Sequence, residues 1–417
     1  MIGHRAVPWL WILSLALGCA GSESGAGWTG TVQDSAGVQI VRNTTQPVWG
    51  PVDAWAFEEV LTIGEAAGDP DYQFGQIAGL DVTSDGTILV LDNQAQHVKV
   101  FSADGVFQRT VGQPGSGPGE FGAGAALLMV GRGDTIIVPD MGNQRVNVFL
   151  LNDAEPTSFP LRLDEGVPMR WEMSAQGTLV AQRRALNMPG QGAQSDVDLI
   201  ARQGYDGSII DTMMTPPRGE TFSFSSGLPE FHFFAAEPVW TLLDDGSLCF
   251  ATNDAFRISV YDLEGNLKRI VEMPVEPVAV SEDDKNIISG LLEDLFEQQG
   301  VPPQAVQMIT QSMTFEERFP VFTQLRSGPE ESLWIQRVGI PSDMTQEERE
   351  NWNPMLDQGS AEWDVFDAEG RYQGVVTMPD RFTPFSASGD LLYGVWRDDL
   401  EVQYVKVYRI AGLRSPA

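Results

Sequence analysis

Short runs of alternating apolar and polar residues, separated by glycine-containing turns, occupy most of this chain. A typical unit has four such runs. A turn that contains glycine follows the first run, and a polar loop follows the second. The third run ends in an aromatic residue and is followed by another glycine turn. Alternation with a period of two between turn signals predicts strands that bury one face. We therefore expect an all-β protein built from four-stranded units.

Two of these units repeat each other closely at an offset of 48 residues. Asp92 matches Asp140, and Phe101 matches Phe149. The turn after the third strand also recurs, as an acidic residue followed by glycine at positions 105, 265 and 370. A repeat of this length is typical of stacked or circular arrays.

The sequence predicts six units. They centre on residues 76–112, 124–163, 168–215, 236–274, 319–378 and 382–410. The last unit lacks a fourth strand, and residues 57–63 form an isolated strand. We expect strand 57–63 to complete blade six and close the ring, which removes free sheet edges. A further hairpin at 31–42 is expected to pack outside that same blade.

The strongest repeat resembles a known motif. The segment from Asp140 through Asn143 and Arg145 to Phe149 is similar to the core of the NHL repeat, and residues 85–101 are similar to it with His97 in the place of Arg145. The resemblance implies a six-bladed β-propeller of the NHL/TolB-like type over residues 29–417. It implies no reaction, because such propellers host many unrelated functions.

The long insertions are expected to emerge on one face of the propeller. They are residues 183–196, 216–235, 274–319 and 339–361. The largest includes a helical insert at 281–314 between blades four and five, with an N-cap at Ser281 and apolar residues at helical spacing. Long loops in compact domains are often functional. The insert is either a lid or partner-docking hairpin, or a packed decoration of the blade edges.

Four residues of these insertions are candidates for a ligand or partner face: Arg183, Arg184, His232 and Phe233. The loop 216–235 is rich in phenylalanine, so it could line an apolar ligand site. Alternatively, its aromatic rings pack beneath the helical insert. The partner of this face is expected to be a protein or a small or oligomeric ligand.

The N-terminus has the pattern of an export signal. Residues 1–18 read as a signal peptide, with Arg5 before an apolar run that is too short to span a bilayer. The residues before Cys19 resemble a bacterial lipoprotein signal, which implies that Cys19 is lipidated and that residues 19–28 are a flexible tether. An ordinary signal peptide cut near Ala20 is the alternative. The resemblance favours a lipid-anchored protein of the cell envelope, at the outer membrane, that contacts the membrane through this anchor alone.

The composition of the chain argues against several other classes of protein function. The formal net charge is −32, from 58 acidic and 26 basic residues, and no basic run is present, which argues against nucleic-acid binding. Two cysteines cannot form a disulfide framework, and three histidines are too few for a zinc site or a clear catalytic triad. Asp92, Asp140 and His97 recur with the repeat, so we expect structural roles for them, and we expect Cys249 to be buried.

We therefore predict a binding or interaction scaffold that uses the face over blades three to five, with no cofactor and no catalytic residue. The alternative is a calcium-dependent hydrolase or lactonase with Ca²⁺ in the central channel. Such a site needs carboxylates that converge from the innermost strands. Asp81, Glu172 and Glu237 are its candidate ligands.

Overall fold

The computed structural model describes residues 27–50, 54–151, 155–185, 195–219, 221–225, 228–350, 352–355 and 358–413. The predicted signal peptide 1–18, Cys19 and the predicted tether up to residue 26 lie outside the described residues. Among the described helices, none is long and apolar enough to cross a bilayer.

Six four-stranded antiparallel sheets form the blades of a propeller. Blade one contains β4 (Ile77–Val82), β5 (Ile88–Asp92), β6 (His97–Phe101) and β7 (Phe107–Val111). Blade two contains β8 (Met129–Gly131), β9 (Thr135–Asp140), β10 (Arg145–Leu150) and β11 (Thr157–Pro160). Blade three contains β12 (Val167–Met173), β13 (Leu179–Arg184), β14 (Leu199–Gln203) and β15 (Ile209–Met214).

The second half of the ring follows the same order. Blade four contains β18 (Pro238–Leu242), β19 (Leu248–Thr252), β20 (Arg257–Tyr261) and β21 (Leu267–Glu272). Blade five contains β23 (Gln324–Ser327), β24 (Leu333–Val338), β25 (Gly359–Phe366) and β26 (Tyr372–Thr377). Blade six contains β27 (Phe382–Ser388), β28 (Leu391–Arg397), β29 (Gln403–Ala411) and, from the N-terminal part of the chain, β3 (Ala56–Ile63).

The core consists of apolar clusters, one between each pair of neighbouring blades. The cluster between blades six and one, for example, joins Tyr393 and Val407 to Ile77 and Ile88. Equivalent clusters lie at the five other junctions. Each blade is therefore buried on both faces, and the predicted closure is confirmed because β3 pairs antiparallel with β29.

The predicted N-terminal hairpin forms, but the expectation that it packs outside blade six is wrong. It consists of β1 (Thr31–Ser35) and β2 (Val38–Arg42), and β2 pairs in parallel with β21 of blade four. The reason is a buried anchor at the end of β2. Asn43 accepts hydrogen bonds from Trp28 Nε1 and Tyr372 N and donates to the carbonyls of Glu272 and Gly370.

The helical insert between blades four and five is confirmed. It contains α1 (Glu282–Gln298) and α2 (Pro303–Ser312), and Ser281 and Asp284 form a capping box at the start of α1. Below the helices lie β16 (Phe222–Ser225), β17 (Leu228–Phe233) and β22 (Thr314–Phe315). A short helix, α3 (Gln346–Glu350), lies in the insertion between β24 and β25 of blade five.

Three of the insertions share one apolar core. It joins Ile288, Leu292 and Phe296 of α1 to a group of phenylalanines, Phe231, Phe233, Phe234 and Phe319. Ile340 and Trp352 of the blade-five insertion pack against the same core. The helices therefore cover apolar surface from the insertion 216–235 and from the blade-five insertion, as a packed extension of the propeller.

Candidate functional site

A cavity of about 1,400 Å³ opens on the face that carries the long insertions. Its walls come from the connection between blades four and five, the insertion of blade five, the connection between blades five and six, and the loop after β28. Gln324, Arg326 and Thr383 of the innermost strands β23 and β27 also line it, so the cavity reaches the central channel. The cavity therefore lies on the face that the sequence singled out.

Two polar clasps fix the walls of this cavity. The Asp284 carboxylate, which caps α1, also accepts a hydrogen bond of 2.9 Å from Ser342 N in the blade-five insertion. On the other side, Arg381 binds Glu347 of α3 at 3.0 Å, together with Asp399. Arg381 has a φ of 55°, a left-handed conformation that is costly for a residue with a side chain. The insertion is thus held between the helical insert and blade six.

One wall of the cavity contains an ion pair between a half-buried arginine, Arg337, and a buried carboxylate, Asp364. Arg337 donates to both carboxylate oxygens of Asp364, at 3.1 and 2.8 Å, and to Glu362 at 2.8 Å. Tyr372 donates its hydroxyl to Asp364 at 3.0 Å. Burial opposes the charge on Arg337, but the bonds to Asp364 outweigh it and raise its pKa, while burial and the same carboxylate raise the pKa of Tyr372. Arg337 therefore stays charged, and each of its three nitrogens donates to a carboxylate of the protein.

The charges on the lining do not balance. Eight carboxylates and four arginines line the cavity. The remaining arginines also have partners: Arg326 donates to the carbonyl of Phe385, and Arg397 lies 4.0 Å from Glu401. Two lining carboxylates, those of Glu276 and Asp343, have no ion pair or side-chain hydrogen bond within the described part of the chain. The excess charge of the cavity is therefore negative and uncompensated.

The lining also contains an unused donor on an apolar background. Met273, Val275, Ile340, Met344 and Met378 contribute apolar surface. The indole nitrogen of Trp352 is inaccessible to solvent and has no acceptor among the described residues. A buried N–H without a partner costs about 1–3 kcal/mol. The cavity thus combines apolar surface with negative charge, and the indole nitrogen of Trp352 lies behind its wall.

The structure separates the four residues that the sequence proposed for this face. Phe233 is 2% exposed and stacks on Phe315 in the core of the insert, with ring centroids 5.4 Å apart. His232 remains half-buried at the surface of the insert, where its Nε2 lies 3.2 Å from Glu316. None of the four lines the cavity.

The two arginines have structural contacts, Arg183 with the connection between blades two and three and Arg184 within blade three. Arg183 is 1% exposed and donates to the carbonyls of Leu161 and Arg162. Burial lowers its pKa. Arg184 forms a two-pronged ion pair with the buried carboxylate of Asp198, with nitrogen–oxygen distances of 2.9 and 2.8 Å. Both guanidinium groups are therefore occupied by the protein itself.

The three candidate calcium ligands do not converge. Asp81 accepts from Val130 N of blade two and from Ser386 of blade six, and Glu172 accepts from Leu242 N and Thr241 of blade four. Both carboxylates lie near the turns that follow the innermost strands. Glu237 precedes β18 at its opposite end and accepts from Thr221 N. Glu237 and Leu242 thus lie at opposite ends of β18, about 16 Å apart at the rise of a strand. No group of three His, Cys, Asp or Glu residues that could hold a metal occurs among the described residues.

The residues of the cavity were missed at the sequence level, although the insertion that holds several of them was noticed. Glu276, Asp343 and Trp352 lie in insertions that break the blade repeat, and this is the signal that could have drawn attention to them. Arg337 and Asp364 lie within regular strands, where alternation does not distinguish a cavity residue from a core residue.

Comparisons with known proteins agree on the fold. Residues 69–160 match the DUF5128 family model, which is described as a six-bladed β-propeller. No curated protein matches the chain. A member of the duf4221 family from Bacteroides vulgatus is similar in structure, with a TM-score of 0.52 at 10% sequence identity, over 86% of this chain and 99% of that one.

Two further solved structures are similar at lower scores. One is a Bacteroides fragilis protein that is provisionally named as exported, with a TM-score of 0.49 and 12% identity over 89% of this chain and 99% of that one. The other is a catalytically inactive virginiamycin B lyase from Staphylococcus aureus, with a TM-score of 0.43 and 10% identity over 85% of this chain and 99% of that one. At these identities the similarities concern the fold. The family match over residues 69–160 and the six blades of the structure together indicate a six-bladed β-propeller.

Proposed function

We propose that this protein is an exported, lipid-anchored binding protein whose ligand occupies the cavity at blade five. The observation that carries the proposal is the position of the cavity, which is walled by the segments in which the chain departs from the blade repeat. Stabilisation of the ring alone does not require these insertions. Concave, largely apolar pockets with a few polar groups are the usual form of a ligand site.

The walls of the cavity are also joined to their neighbours by polar contacts. Asp284 and Arg381 tie the blade-five insertion to elements on either side of it. Fixed walls reduce the entropy that is lost when a ligand binds. The proposed role therefore rests on the cavity and its clasps, and it requires no catalytic group.

A cavity-blocking substitution tests this proposal. Thr377 is exposed and lines the cavity, so Thr377→Trp should obstruct it, while Val106→Trp places the same side chain on the opposite face. A thermal-shift screen with panels of peptides and oligosaccharides should find a ligand that raises the Tm of the wild type and of V106W but not of T377W. Equal shifts in all three proteins, or no shift with any ligand, would contradict the proposal.

The lipid anchor is the second part of the proposal. It rests on the resemblance of the residues before Cys19 to a lipoprotein signal. In a bacterial host, Cys19→Ser should abolish labelling by a radioactive fatty acid and move the protein from the membrane fraction to the soluble fraction. Cys249→Ser is the matched control, because Cys249 is buried in blade four. Unchanged labelling of the C19S variant would exclude lipidation at this residue.

A further inference from the structure

Two observations orient the propeller relative to a membrane, and the inference from them rests on the lipid anchor of the proposed function. We propose that the face with the long insertions, here called the insertion face, docks on the lipid surface that holds the anchor, with the side chains of Leu400 and Val278 in the headgroup layer. This contact goes beyond the contact through the anchor alone that the sequence predicts.

The first observation is the point at which the predicted tether joins the propeller. Trp28 is buried and donates from Nε1 to Asn43 at 2.9 Å. Asn43 N in turn donates to the carbonyl of Glu272, the last residue of β21. Thr45, two residues after Asn43, lines the cavity. The tether therefore ends at a fixed point beside the cavity, at the end of blade four from which the helical insert departs.

The tether is short compared with the propeller. From Cys19 to Gly27 the chain spans at most roughly 29 Å when fully extended, and about 16 Å on average as a flexible coil. A domain of this length is roughly 55 Å across. An acyl chain on Cys19 would therefore keep the side of blades four and five close to the bilayer and hold blade one, across the ring, away from it.

The second observation is the uneven distribution of exposed apolar side chains. Among the described residues, one large apolar side chain of the short turns on the opposite face is exposed, that of Val106. The loops and insertions of the insertion face expose six: Met141, Val197, Val278, Met308, Met355 and Leu400. Leu400 is 81% exposed, the largest fraction in this set. The tether and the apolar side chains thus mark the same face.

Leu400 is held outward by a hydrogen-bonded turn. Its N–H and that of Val402 donate to Oδ1 of Asp398, both at 2.9 Å. The two acidic neighbours of Leu400 lie against arginines, Arg381 and Arg397. Their charges are therefore partly compensated, and the turn presents an apolar tip.

The anchor and the face are expected to act together. Two apolar side chains are too few to hold a protein on a bilayer, since even one myristoyl chain binds only marginally. A short tether changes this balance, because it keeps the face at an effective concentration in the millimolar range. Loss of the anchor should therefore release the whole protein, as expected for Cys19→Ser. The formal net charge of −32 adds a preference for zwitterionic over anionic lipid.

Docking in this orientation turns the blade-five cavity towards the bilayer. Val278 lines the cavity, and so does Glu401, the neighbour of Leu400. Insertion of the two apolar side chains would place this part of the cavity rim at the headgroup layer. The inference therefore gives the proposed ligand site a defined position relative to the membrane.

Fluorescence quenching by lipid tests the inference on the acylated protein. Leu400→Cys and Val106→Cys place single thiols on opposite faces. Cys249 does not compete for the label, because it is buried and its pKa is raised to about 12. Each variant carries a polarity-sensitive fluorophore and is reconstituted into vesicles of phosphatidylcholine with brominated acyl chains. We expect quenching to be at least threefold stronger at position 400 than at position 106.

Two further comparisons assign the quenching to the apolar rim. Val278→Ser should reduce quenching of the label at position 400 about threefold, because it removes an apolar group from the docked face. Val60→Ser is the matched control, since Val60 is exposed on the outer strand β3. Addition of phosphatidylglycerol to the vesicles should weaken the quenching at low salt, and high salt should restore it.

The outcomes separate this inference from the proposed function. If the acylated protein incorporates into vesicles and both labels are quenched equally, or neither is quenched, the anchor stands and the docking of the insertion face is wrong. Stronger quenching at position 106 would show that the opposite face docks. If mass spectrometry finds no acyl chain and the protein does not incorporate, the lipid anchor is wrong and the docking inference fails with it. None of these results alters the test of the cavity with T377W.

Discussion

At the scale of single residues, one position of the blade repeat shows how side chains hold the connections between blades. Asp92 ends the second strand of blade one and accepts from the backbone N–H groups of Gly75, Gln76 and Ala95. Asp140 does the same for Gly122 in blade two, and Arg183 occupies the equivalent place in blade three. There the polarity is reversed, since Arg183 donates to carbonyls. In all three blades the side chain at this position binds the backbone of the neighbouring connection. It is an acceptor where N–H groups face it and a donor where carbonyls face it.

The first prediction concerns this position. Asp92→Ala would leave three backbone donors without an acceptor, and Asp92 is 1% exposed. We expect the free energy of unfolding to fall by about 3 kcal/mol, as measured by urea denaturation. Asp104→Ala is the matched control, because Asp104 is exposed in a turn and accepts from Ser102 alone. An equal effect of both substitutions would contradict the structural role of Asp92.

The second prediction concerns Asp81, whose pKa is raised because it lies deep in the ring, although part of it faces the channel. A carboxyl group whose pKa is higher in the folded than in the unfolded state binds more protons when folded. Its contribution to stability is therefore fully present below the unfolded pKa of about 4 and is lost as the pH rises through the folded value.

Asparagine mimics the protonated form, so Asp81→Asn should gain stability relative to the wild type as the pH rises above about 4. Urea denaturation at a series of pH values measures this difference. Asp85→Asn should show the opposite trend below about pH 4, because hydrogen bonds from Thr83 and Thr87 lower the pKa of Asp85. A pH-independent difference between D81N and the wild type would refute the interpretation.

At the scale of elements, the N-terminal part of the chain spans three blades from outside. The strand β2 extends blade four, Trp49 N donates to the carbonyl of Gln373 in blade five, and β3 completes blade six. Trp49 and Trp55 also pack against each other at 5.1 Å. This segment therefore binds blades four, five and six together on the side of the cavity.

The third prediction concerns the anchor of this segment. Asn43→Ala removes four side-chain hydrogen bonds, three of which join the end of β2 to blades four and five, so we expect a loss of about 3 kcal/mol in the free energy of unfolding. Hydrogen exchange should become faster in β2 and β26 before it does in blades one to three. Gln46→Ala is the control, since the Gln46 side chain is exposed on the same segment. Uniform exchange across all blades would argue against a local anchor.

At the scale of the whole molecule, the ring closes through strands that are far apart in the sequence. The pairing of β3 with β29 joins the first blade-forming strand of the chain to the last. A disulfide across this junction constrains the unfolded chain most strongly, because the entropy of loop closure grows with the length of the loop.

The fourth prediction uses this dependence. Glu58 and Arg409 are exposed cross-strand neighbours, and a disulfide from Glu58→Cys with Arg409→Cys closes a loop of roughly 350 residues. In a Cys19→Ser background, oxidation should raise the free energy of unfolding by about 4 kcal/mol. Asp34→Cys with Gln39→Cys, exposed partners in the outer hairpin, close a very short loop and should give a much smaller gain. Equal gains would indicate that β3 does not close the ring.

The structure shows which features of the fold could be predicted from the sequence and which could not. The blade count, the closure by residues 57–63 and the helical insert follow from alternation, turns and capping residues, which act over short distances along the chain. The position of the N-terminal hairpin could not be read in this way. Its parallel pairing joins Gln39 to Arg269, and nothing in the sequence of β2 identifies β21 as its partner. The same limit applies to Asp81 and Glu172, whose spacing suggested a shared metal site until the strands showed what each carboxylate contacts.

The sequence by itself determined a six-bladed ring, the face that bears its insertions and the structural role of the repeated aspartates, because these features depend on local periodicity and turn chemistry. Only the tertiary structure decided which charges are neutralised. Arg337 is paired because β24 and β25 bring Asp364 beside it. Glu276 and Asp343 come from two separate insertions and line one cavity, and neither has a cationic partner in the described part of the chain. Charge balance depends on distances through space between remote segments, and those distances are fixed only when the blades close and the insertions pack on them.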